Sequence, residues 1–384
     1  MLGLSEAFRN DSNPEKINLS VGVFKDQSGI TPILKCVKQA EKLLLENETT
    51  KAYLPIDGRP GYQRLVQKLM LGADHEIIAN KRAATVQTPG GTGALRVAAD
   101  FLADSFPGRS IWLSQPTWPN HPSIFSAAGI NIETYPYFDK AKNGLDFEGM
   151  IETLKKASLG DIVLLHGCCH NPSGIDPTAE QWKAIADLVE ERQLLPLLDF
   201  AYQGFGTGIQ EDAAGLLELC RPGQELLISS SFSKNFGLYN ERTGALTAVA
   251  ADEASDLAVL SQLKKVVRCN YSNPPTHGAS IVETVLASDE LSAQWKEELG
   301  QMRDRINGMR KLFVETMNSL GVDRDYSFIQ QQNGMFSFSG LNPIQVDQLK
   351  NDHSIYIVGS GRINVAGISE SNVGRLCSAI KSVL

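Results

Sequence analysis

The sequence predicts an α/β protein with a mostly parallel, seven-stranded sheet, and three observations carry that prediction. Seven short apolar runs read as strands, at 84–87, 111–114, 131–135, 162–166, 194–200, 226–230 and 245–250. Segments with helical apolar spacing, at 93–104, 147–157 and 178–192, alternate with them at short loop lengths. The strands are continuously apolar, as expected when helices cover both faces of a sheet.

Segment 289–320 is of another kind. Leu299, Met302, Ile306, Met309, Leu312, Phe313 and Met317 recur every three or four residues, the stripe of a long amphipathic helix. Such a helix leaves the large α/β body and enters a smaller unit near the C-terminus. A chain of 384 residues has room for two domains. With 42% apolar and 21% charged residues it is ordinary for a soluble globular protein, and 33 Gly with 17 Pro are too few for a collagenous or linker-rich chain.

The net charge of −8 argues against nucleic acid or an anionic membrane as the main partner, and leaves room for a local basic pocket. Six cysteines (36, 168, 169, 220, 269 and 377) lack the spacing of a disulfide framework, which predicts a reducing compartment. The start shows no basic-then-apolar leader, and no apolar run approaches the ~20 residues of a membrane helix. The expectation is a soluble, cytoplasmic protein.

Thr88-Pro-Gly-Gly-Thr-Gly-Ala-Leu-Arg96 follows a strand and opens a helix. Helix N-termini present unpaired N–H groups and partial positive charge, so this segment can cradle a phosphate. Its glycines let the backbone approach an anion, and Thr92 offers a hydroxyl. It is no dinucleotide fingerprint, because Arg96 stands where Gly or Ala is needed, and no G-x-x-x-x-G-K-[ST] occurs anywhere. A glycine turn that only opens a helix is the equally weighted structural reading.

His166-Gly-Cys-Cys-His170-Asn-Pro-Ser-Gly puts His166, Cys168 and His170 on one face if the segment is extended. Structural zinc draws two ligand pairs from separate segments, and no second pair stands out, so no metal is expected. Asn171-Pro172 ends the strand instead, and ligands gather at the carboxyl ends of strands in open α/β sheets. The preferred reading is a strand-end pocket with His166 and Asn171. Asp199-Phe-Ala-Tyr202 likewise ends an apolar strand. An Asp there is often a structural cap, but it can also hold a cationic ring nitrogen or orient a histidine, with Tyr202 as a nearby donor.

Ser229-Ser-Ser231-Phe-Ser-Lys234-Asn-Phe-Gly, followed by Arg242-Thr-Gly, is the richest stretch. A lysine desolvated near other cations has a depressed pKa and becomes a nucleophilic amine able to form a Schiff base. Ser231 and Arg242 can donate to a phosphate. Ser231-x-x-Lys234 also fits the S-x-x-K of serine acyl-enzymes, but no Ser-Asp-Asn element accompanies it. Arg268, in Val-Val-Arg-Cys-Asn-Tyr-Ser-Asn-Pro-Pro, and Arg362, in Gly-Ser-Gly-Arg-Ile-Asn-Val-Ala-Gly, stand among small, turn-forming or apolar residues. An arginine so placed is either ion-paired or awaits a carboxylate, and two of them suit a dicarboxylate.

In this order, from about 17 to 384, the segments resemble the class I, fold-type I pyridoxal-phosphate aminotransferases, and most closely the bacterial aspartate and aromatic aminotransferases. The resemblance implies that Lys234 carries pyridoxal 5′-phosphate as a Schiff base and then moves the proton. It implies that Asp199 keeps the pyridine nitrogen protonated, with His166 supporting Asp199 and His121 behind it. Tyr202 and Asn171 would bond the ring's phenolic oxygen, and Trp118, in Pro-Thr-Trp-Pro-Asn-His, would stack on the ring. Gly91, Thr92, Ser231 and Arg242 match the phosphate site. Tyr53, in Ala-Tyr-Leu-Pro-Ile-Asp-Gly, would reach that phosphate from the other subunit of a homodimer. Arg362 matches the grip on the α-carboxylate, and Arg268, also across the dimer, the grip on the side-chain carboxylate. Gly22, in Ser-Val-Gly-Val-Phe-Lys-Asp, matches a mobile lid, and Phe336 lines the substrate pocket.

The same resemblance places a large domain at 32–301 and a small domain at 1–31 and 302–384. Family members carry an N-terminal arm that crosses to the partner subunit; this sequence starts at Leu2-Gly3-Leu4 with almost none, so a less firmly tied dimer is expected. Ser173 stands where Thr is frequent. The activity implied is ping-pong amino transfer from L-aspartate to 2-oxoglutarate, giving oxaloacetate and L-glutamate, with no nucleic-acid or membrane partner. An aromatic-amino-acid aminotransferase, as an alternative or a second activity of the site, is the runner-up. A serine acyl-enzyme hydrolase and a non-catalytic aminotransferase-like binding domain are the readings from other classes; the latter would have lost Lys234.

Overall fold

All seven apolar runs become strands of one sheet in the computed structural model, which describes residues 2–384. They are β1 (Ala83–Pro89), β2 (Ser110–Gln115), β3 (Asn131–Pro136), β4 (Ile162–His166), β5 (Leu195–Phe200), β6 (Leu226–Ser231) and β7 (Thr243–Val249). Their order across the sheet is β1-β7-β6-β5-β4-β2-β3. Pairing is parallel except at β7, which runs antiparallel to both β1 and β6.

In the central strands neighbouring residues enter different cores, which is why β4 reads as an unbroken apolar run, whereas the edge strand β3 leaves Asn131, Glu133 and Thr134 exposed. Leu164, Leu197, Leu227 and Leu246 join one core with Leu95, Ala98 and Leu102 of helix α1 (Gly90–Ser105). Leu165, Leu198, Ile228 and Ala245 join the other. Helix α2 (Glu253–Asn270) lies outside α1 and buries only Leu263 and Val267 of its apolar side chains. So thin a stripe is hard to see in sequence. The helix at Lys35–Asn47, which buries Cys36, Val37 and Ala40, escaped the sequence reading for the same reason.

The long amphipathic stripe is one continuous helix, α3 (Asp289–Ser319), started by the Ser288 hydroxyl, which accepts from the Leu291 N–H. Trp295 near its start is fully buried, stacks on Phe236 with ring centroids 4.5 Å apart, and donates its indole N–H to the Asn235 carbonyl at 2.8 Å. The later turns of α3 pack against a smaller α/β unit made by both chain ends. There Ile17–Asn18 pairs in parallel with Ile355–Tyr356, and Phe336–Phe338 pairs antiparallel with Arg362–Asn364. Leu19 joins the two pairs, donating its N–H to Tyr356 and accepting from that of Asn364.

Beyond β4 the chain does not continue as a strand. Cys169 has φ of 52°, so His166, Cys168 and His170 do not share a face, and the extended reading of this segment is corrected. His170 turns into the interior, where Nε2 meets the Ser114 hydroxyl at 3.1 Å, Nδ1 meets Ser173 at 2.8 Å, and Tyr137 stacks on the ring. Burial holds its imidazole well below the usual histidine range, and pushes that of His166 down to about 3.

Two predictions follow from this packing. Trp295→Ala should lower unfolding stability by about 3–5 kcal/mol, read as a lower urea midpoint, while Trp295→Phe keeps the stacking and should cost clearly less. Histidines held neutral in the fold take up protons on unfolding, so stability should fall as the pH drops below about 6.5. Comparing urea midpoints at about pH 7.5 and 5.5 on either side of that value, His170→Gln should narrow the gap; an undiminished gap would show that His170 is not the group protonated.

Candidate active site

The carboxyl ends of β4, β5 and β6 lie side by side, with His166 opposite Asp199 and Asp199 opposite Ser229. The loops that follow open on a cleft of about 260 Å³. Asp199, Tyr202, Ser231 and Lys234 form part of its wall, joined by Asn171 and Trp118. A larger groove of about 740 Å³ between α1 and α2 contains none of the residues singled out by sequence.

One group of wall residues is built for an anion. α1 begins here with no side chain capping its first turn, and Gly91 and Thr92 face the cleft. A Cβ on Gly90 would stand 2.5 Å from the Arg242 guanidinium, and one on Gly91 3.1 Å from the Ser231 Cβ, so the glycines are what let these groups converge. Arg242 Nη1 is tied to the Ser233 hydroxyl at 3.2 Å and the Tyr239 carbonyl at 3.1 Å. Uncapped N–H groups, two hydroxyls and a guanidinium together have the chemistry to hold a phosphate. The plain helix-start reading leaves that convergence unexplained.

The second group sets a carboxylate beside a lysine. His121 Nε2 meets Asp199 Oδ2 at 3.0 Å, and the other nitrogen of His121 meets the Thr117 hydroxyl at 2.7 Å. Burial by itself would raise the Asp199 carboxyl, but the His121 hydrogen bond and the neighbouring His121, His166 and Lys234 outweigh it and hold the group below the usual carboxylate range. Lys234 Nζ lies 4.5 Å from the centroid of the Tyr202 ring. Desolvation, with Arg242 adding to it and Asp199 opposing, moves the Lys234 amine below the usual lysine range.

The support of Asp199 differs from the expectation. His121, not His166, makes the hydrogen bond, and neither ring nitrogen of His166 has a hydrogen-bond partner among the described residues. His166 is buried behind the cleft with its ring centroid 5.2 Å from that of His121, and it is not part of the cleft wall. Donor atoms of His121, His166 and Asp199 lie within 4.8 Å of one another, as do those of Cys168, Cys169 and Asp212. The Asp212 oxygens accept from the N–H groups of Gly204, Gly206 and Thr207, so that carboxylate is already used.

The third group surrounds Arg362, which is buried at the edge of the smaller unit. Its Nη1 donates to Asn171 Oδ1 at 3.3 Å and its Nη2 to the Ser20 carbonyl at 2.8 Å. The guanidinium sits 4.2 Å from the Phe336 ring centroid, and a Cβ on Gly22 would meet that ring at 2.7 Å. Gly22, Phe336 and Arg362 all line the cleft. Tyr239 was not singled out by sequence, yet it lines the cleft and its hydroxyl accepts from the Phe24 N–H at 2.9 Å, tying the Gly22 segment down. Its position five residues after Lys234 was the available signal.

Tyr53 and Arg268, expected from across a dimer, lie outside this chain's own cleft. Tyr53 is 92% exposed, and Arg268, at the end of α2, is exposed with Nη1 on the Ser272 hydroxyl at 2.6 Å. Within one chain neither forms part of the wall.

Comparison with known proteins bears on this geometry. The family described as aminotransferase class I and II matches residues 14–380. The chain is 55% identical to the aspartate aminotransferase of Escherichia coli (strain K12), over 100% of this chain and 97% of that protein. It is 47% identical to the aromatic-amino-acid aminotransferase of Pseudomonas aeruginosa, over 100% of this chain and 96% of that protein. Its structure superposes with a TM-score of 0.98 on the aromatic-amino-acid aminotransferase of Burkholderia pseudomallei covalently bound to pyridoxal phosphate, at 48% identity, covering 100% of this chain and 96% of that one. A lysine beside a buried aspartate, a corner with the chemistry to hold a phosphate and a buried arginine in one cleft thus agree with full-length similarity, and the chain belongs to the class I and II aminotransferases.

Proposed function

We propose that this chain is an aspartate aminotransferase, transferring the amino group of L-aspartate to 2-oxoglutarate and releasing oxaloacetate and L-glutamate by a ping-pong mechanism. The observation that carries it is the single cleft holding Lys234, Asp199 and Arg362 together. Whole-length identity of 55% to the Escherichia coli aspartate aminotransferase supports the choice of substrate.

Pyridoxal 5′-phosphate fits the donor set. The uncapped α1 N-terminus with Gly91, Thr92, Ser231 and Arg242 would take its phosphate, Asp199 its ring nitrogen, and Lys234 its aldehyde carbon through a covalent bond. Trp118 would cover the ring, and Tyr202 and Asn171 would reach its phenolic oxygen. When bound, the cofactor supplies a cationic ring that takes up the electron pair left at the substrate's α-carbon and stores the amino group between the two half-reactions.

The remaining work belongs to the side chains. Asp199 stays anionic because His121 bonds it, and a buried anion keeps a facing ring nitrogen protonated. His166 is buried and neutral behind it. Lys234, with its amine made easier to deprotonate, takes the α-proton at Nζ and holds it for return. Arg362 offers a planar fork to the α-carboxylate, and Phe336 beneath it excludes water.

Exposed Tyr53 and Arg268 belong, in this reading, to the neighbouring subunit's cleft in a homodimer: Tyr53 on the phosphate and Arg268 on the side-chain carboxylate. The small domain, 1–31 with 302–384, brings Gly22, Phe336 and Arg362 onto a large domain at 32–301, and Gly22 sits in the lid. All six cysteines are free, which suits the cytoplasm. No helix among the described residues is long and apolar enough to cross a membrane. A second activity on aromatic amino acids is favoured by the exposed Arg268, which can swing aside to admit a ring, and by the 47% identity to the Pseudomonas aeruginosa aromatic-amino-acid aminotransferase.

The purified protein should show a visible absorption band that shifts when L-aspartate alone is added. A protein with no chromophore after reconstitution with pyridoxal phosphate would refute the assignment. Lys234→Ala should lose turnover by several orders of magnitude, since it removes both attachment and proton transfer; a variant with full activity would refute the role of Lys234. Arg268→Ala should reduce kcat/KM for aspartate far more than for phenylalanine, and equal losses would contradict its contact with the side-chain carboxylate.

A further inference from the structure

Helix α3 buries an arginine with no acidic side chain within ion-pair distance among the described residues. Arg310 is 1% exposed. Its Nη1 donates to the Ile329 carbonyl at 3.1 Å and to the Ser337 hydroxyl, and its Nη2 to the carbonyls of Gly334 at 2.7 Å and Phe336 at 2.9 Å. A buried guanidinium is costly unless it is hydrogen-bonded; both Nη groups of Arg310 are served, and its Nε has no partner among the described residues. Here every acceptor comes from 329–337, the segment that delivers Phe336 to the cleft, so the charge serves to hold that segment in one shape.

Segment 329–337 rests on the loop at 169–176. The Asn333 N–H donates to the Gly174 carbonyl at 2.6 Å, and its Nδ2 to Asp176 Oδ2 at 3.3 Å. The half-buried Asp176 in turn accepts from the N–H groups of Cys169 at 2.8 Å and His170 at 2.9 Å, the two residues before Asn171. No side chain fits between the two segments: a Cβ on Gly174 would stand 2.5 Å from the Phe336 carbonyl oxygen, and one on Gly334 2.5 Å from the Cys169 Cβ. Asn171 and Phe336 both contact the Arg362 guanidinium, as does the Ser20 carbonyl.

We propose that Arg310 and Asp176 are positioning residues for substrate binding: from opposite sides of the seam between sheet body and smaller unit they fix Phe336 and Asn171, and so aim Arg362 at the substrate's carboxylate. Neither touches the cleft, and neither is part of its wall. The inference rests on the reading of Arg362 as the carboxylate grip.

The test uses the holoenzyme with Asp176→Asn, Asn333→Ala and Arg310→Lys, and with Arg362→Lys as reference. Asp176→Asn turns an N–H2 toward one of the two N–H donors, and Asn333→Ala removes the side-chain bond to Asp176, leaving the backbone bond to Gly174, without touching a charge, so it serves if Arg310→Lys does not fold. The readouts are KM for L-aspartate, the inhibition constant of succinate as an unreactive dicarboxylate, and kcat per bound cofactor. A loss of aim weakens ground-state binding, so both constants should rise about tenfold while kcat stays within about threefold. Asp176→Asn and Asn333→Ala enzymes that melt earlier yet keep both constants within about twofold would have lost only stability, which overturns the proposal. If Arg362→Lys raises both constants and these variants do not, the positioning role alone falls. If Arg362→Lys also leaves them unchanged, the reading of Arg362 falls and takes the proposal with it.

Discussion

A carboxylate buried at the tip of β5 is the constraint around which the rest of the site is arranged. Asp199 is 8% exposed, and a charge taken out of water is tolerated only with compensating partners. His121 supplies the hydrogen bond from a helix 78 residues away in sequence, and Lys234 supplies the opposing cation from the loop after the adjacent strand. Parallel strands make this possible, because β4, β5 and β6 end at one level and release three loops toward the same space. The anion that would be costly anywhere else in the core is thus placed where a cationic ring can face it.

The opposite charge requirement is met beside it. An uncapped helix N-terminus, the Thr92 and Ser231 hydroxyls and Arg242 form an electropositive corner, and Gly90 and Gly91 keep it open. Between the corner and Asp199, Lys234 feels both, and desolvation decides the sign of its shift. A long, rigid α3 then joins this floor to the arginine-bearing unit. Its first turns hold Trp295 against the residues after Lys234, and its later turns hold Arg310 against the segment carrying Phe336. One helix therefore touches both supports of the cleft.

What could be read from the sequence was local. The central strands, covered on both faces, are apolar runs, and the polar residues at their ends, such as Asp199 and Ser231, followed by Lys234, stood out against that background. The stripe from Leu299 to Met317 was long enough to name α3. Helix α2, with two buried aliphatic side chains, was not legible, because so little of its surface meets the core. The metal-like spacing from His166 to His170 misled on geometry, since a single left-handed residue, Cys169, sends the side chains into different environments.

The sequence by itself determined the fold class, the strand-end motifs and the chemistry of their donors, because each depends on residue type and spacing along a few neighbouring turns. Tertiary structure alone decided the strand order, the reversal of β7, and the choice of His121 over His166 as the partner of Asp199. It alone showed that Tyr239 joins the cleft wall and that Arg310 is buried without a carboxylate within ion-pair distance among the described residues. Each of these is a contact between residues far apart in sequence, or the lack of one. Such contacts are set by how helices and sheet pack in three dimensions, and packing leaves no periodic trace in the order of the residues that meet.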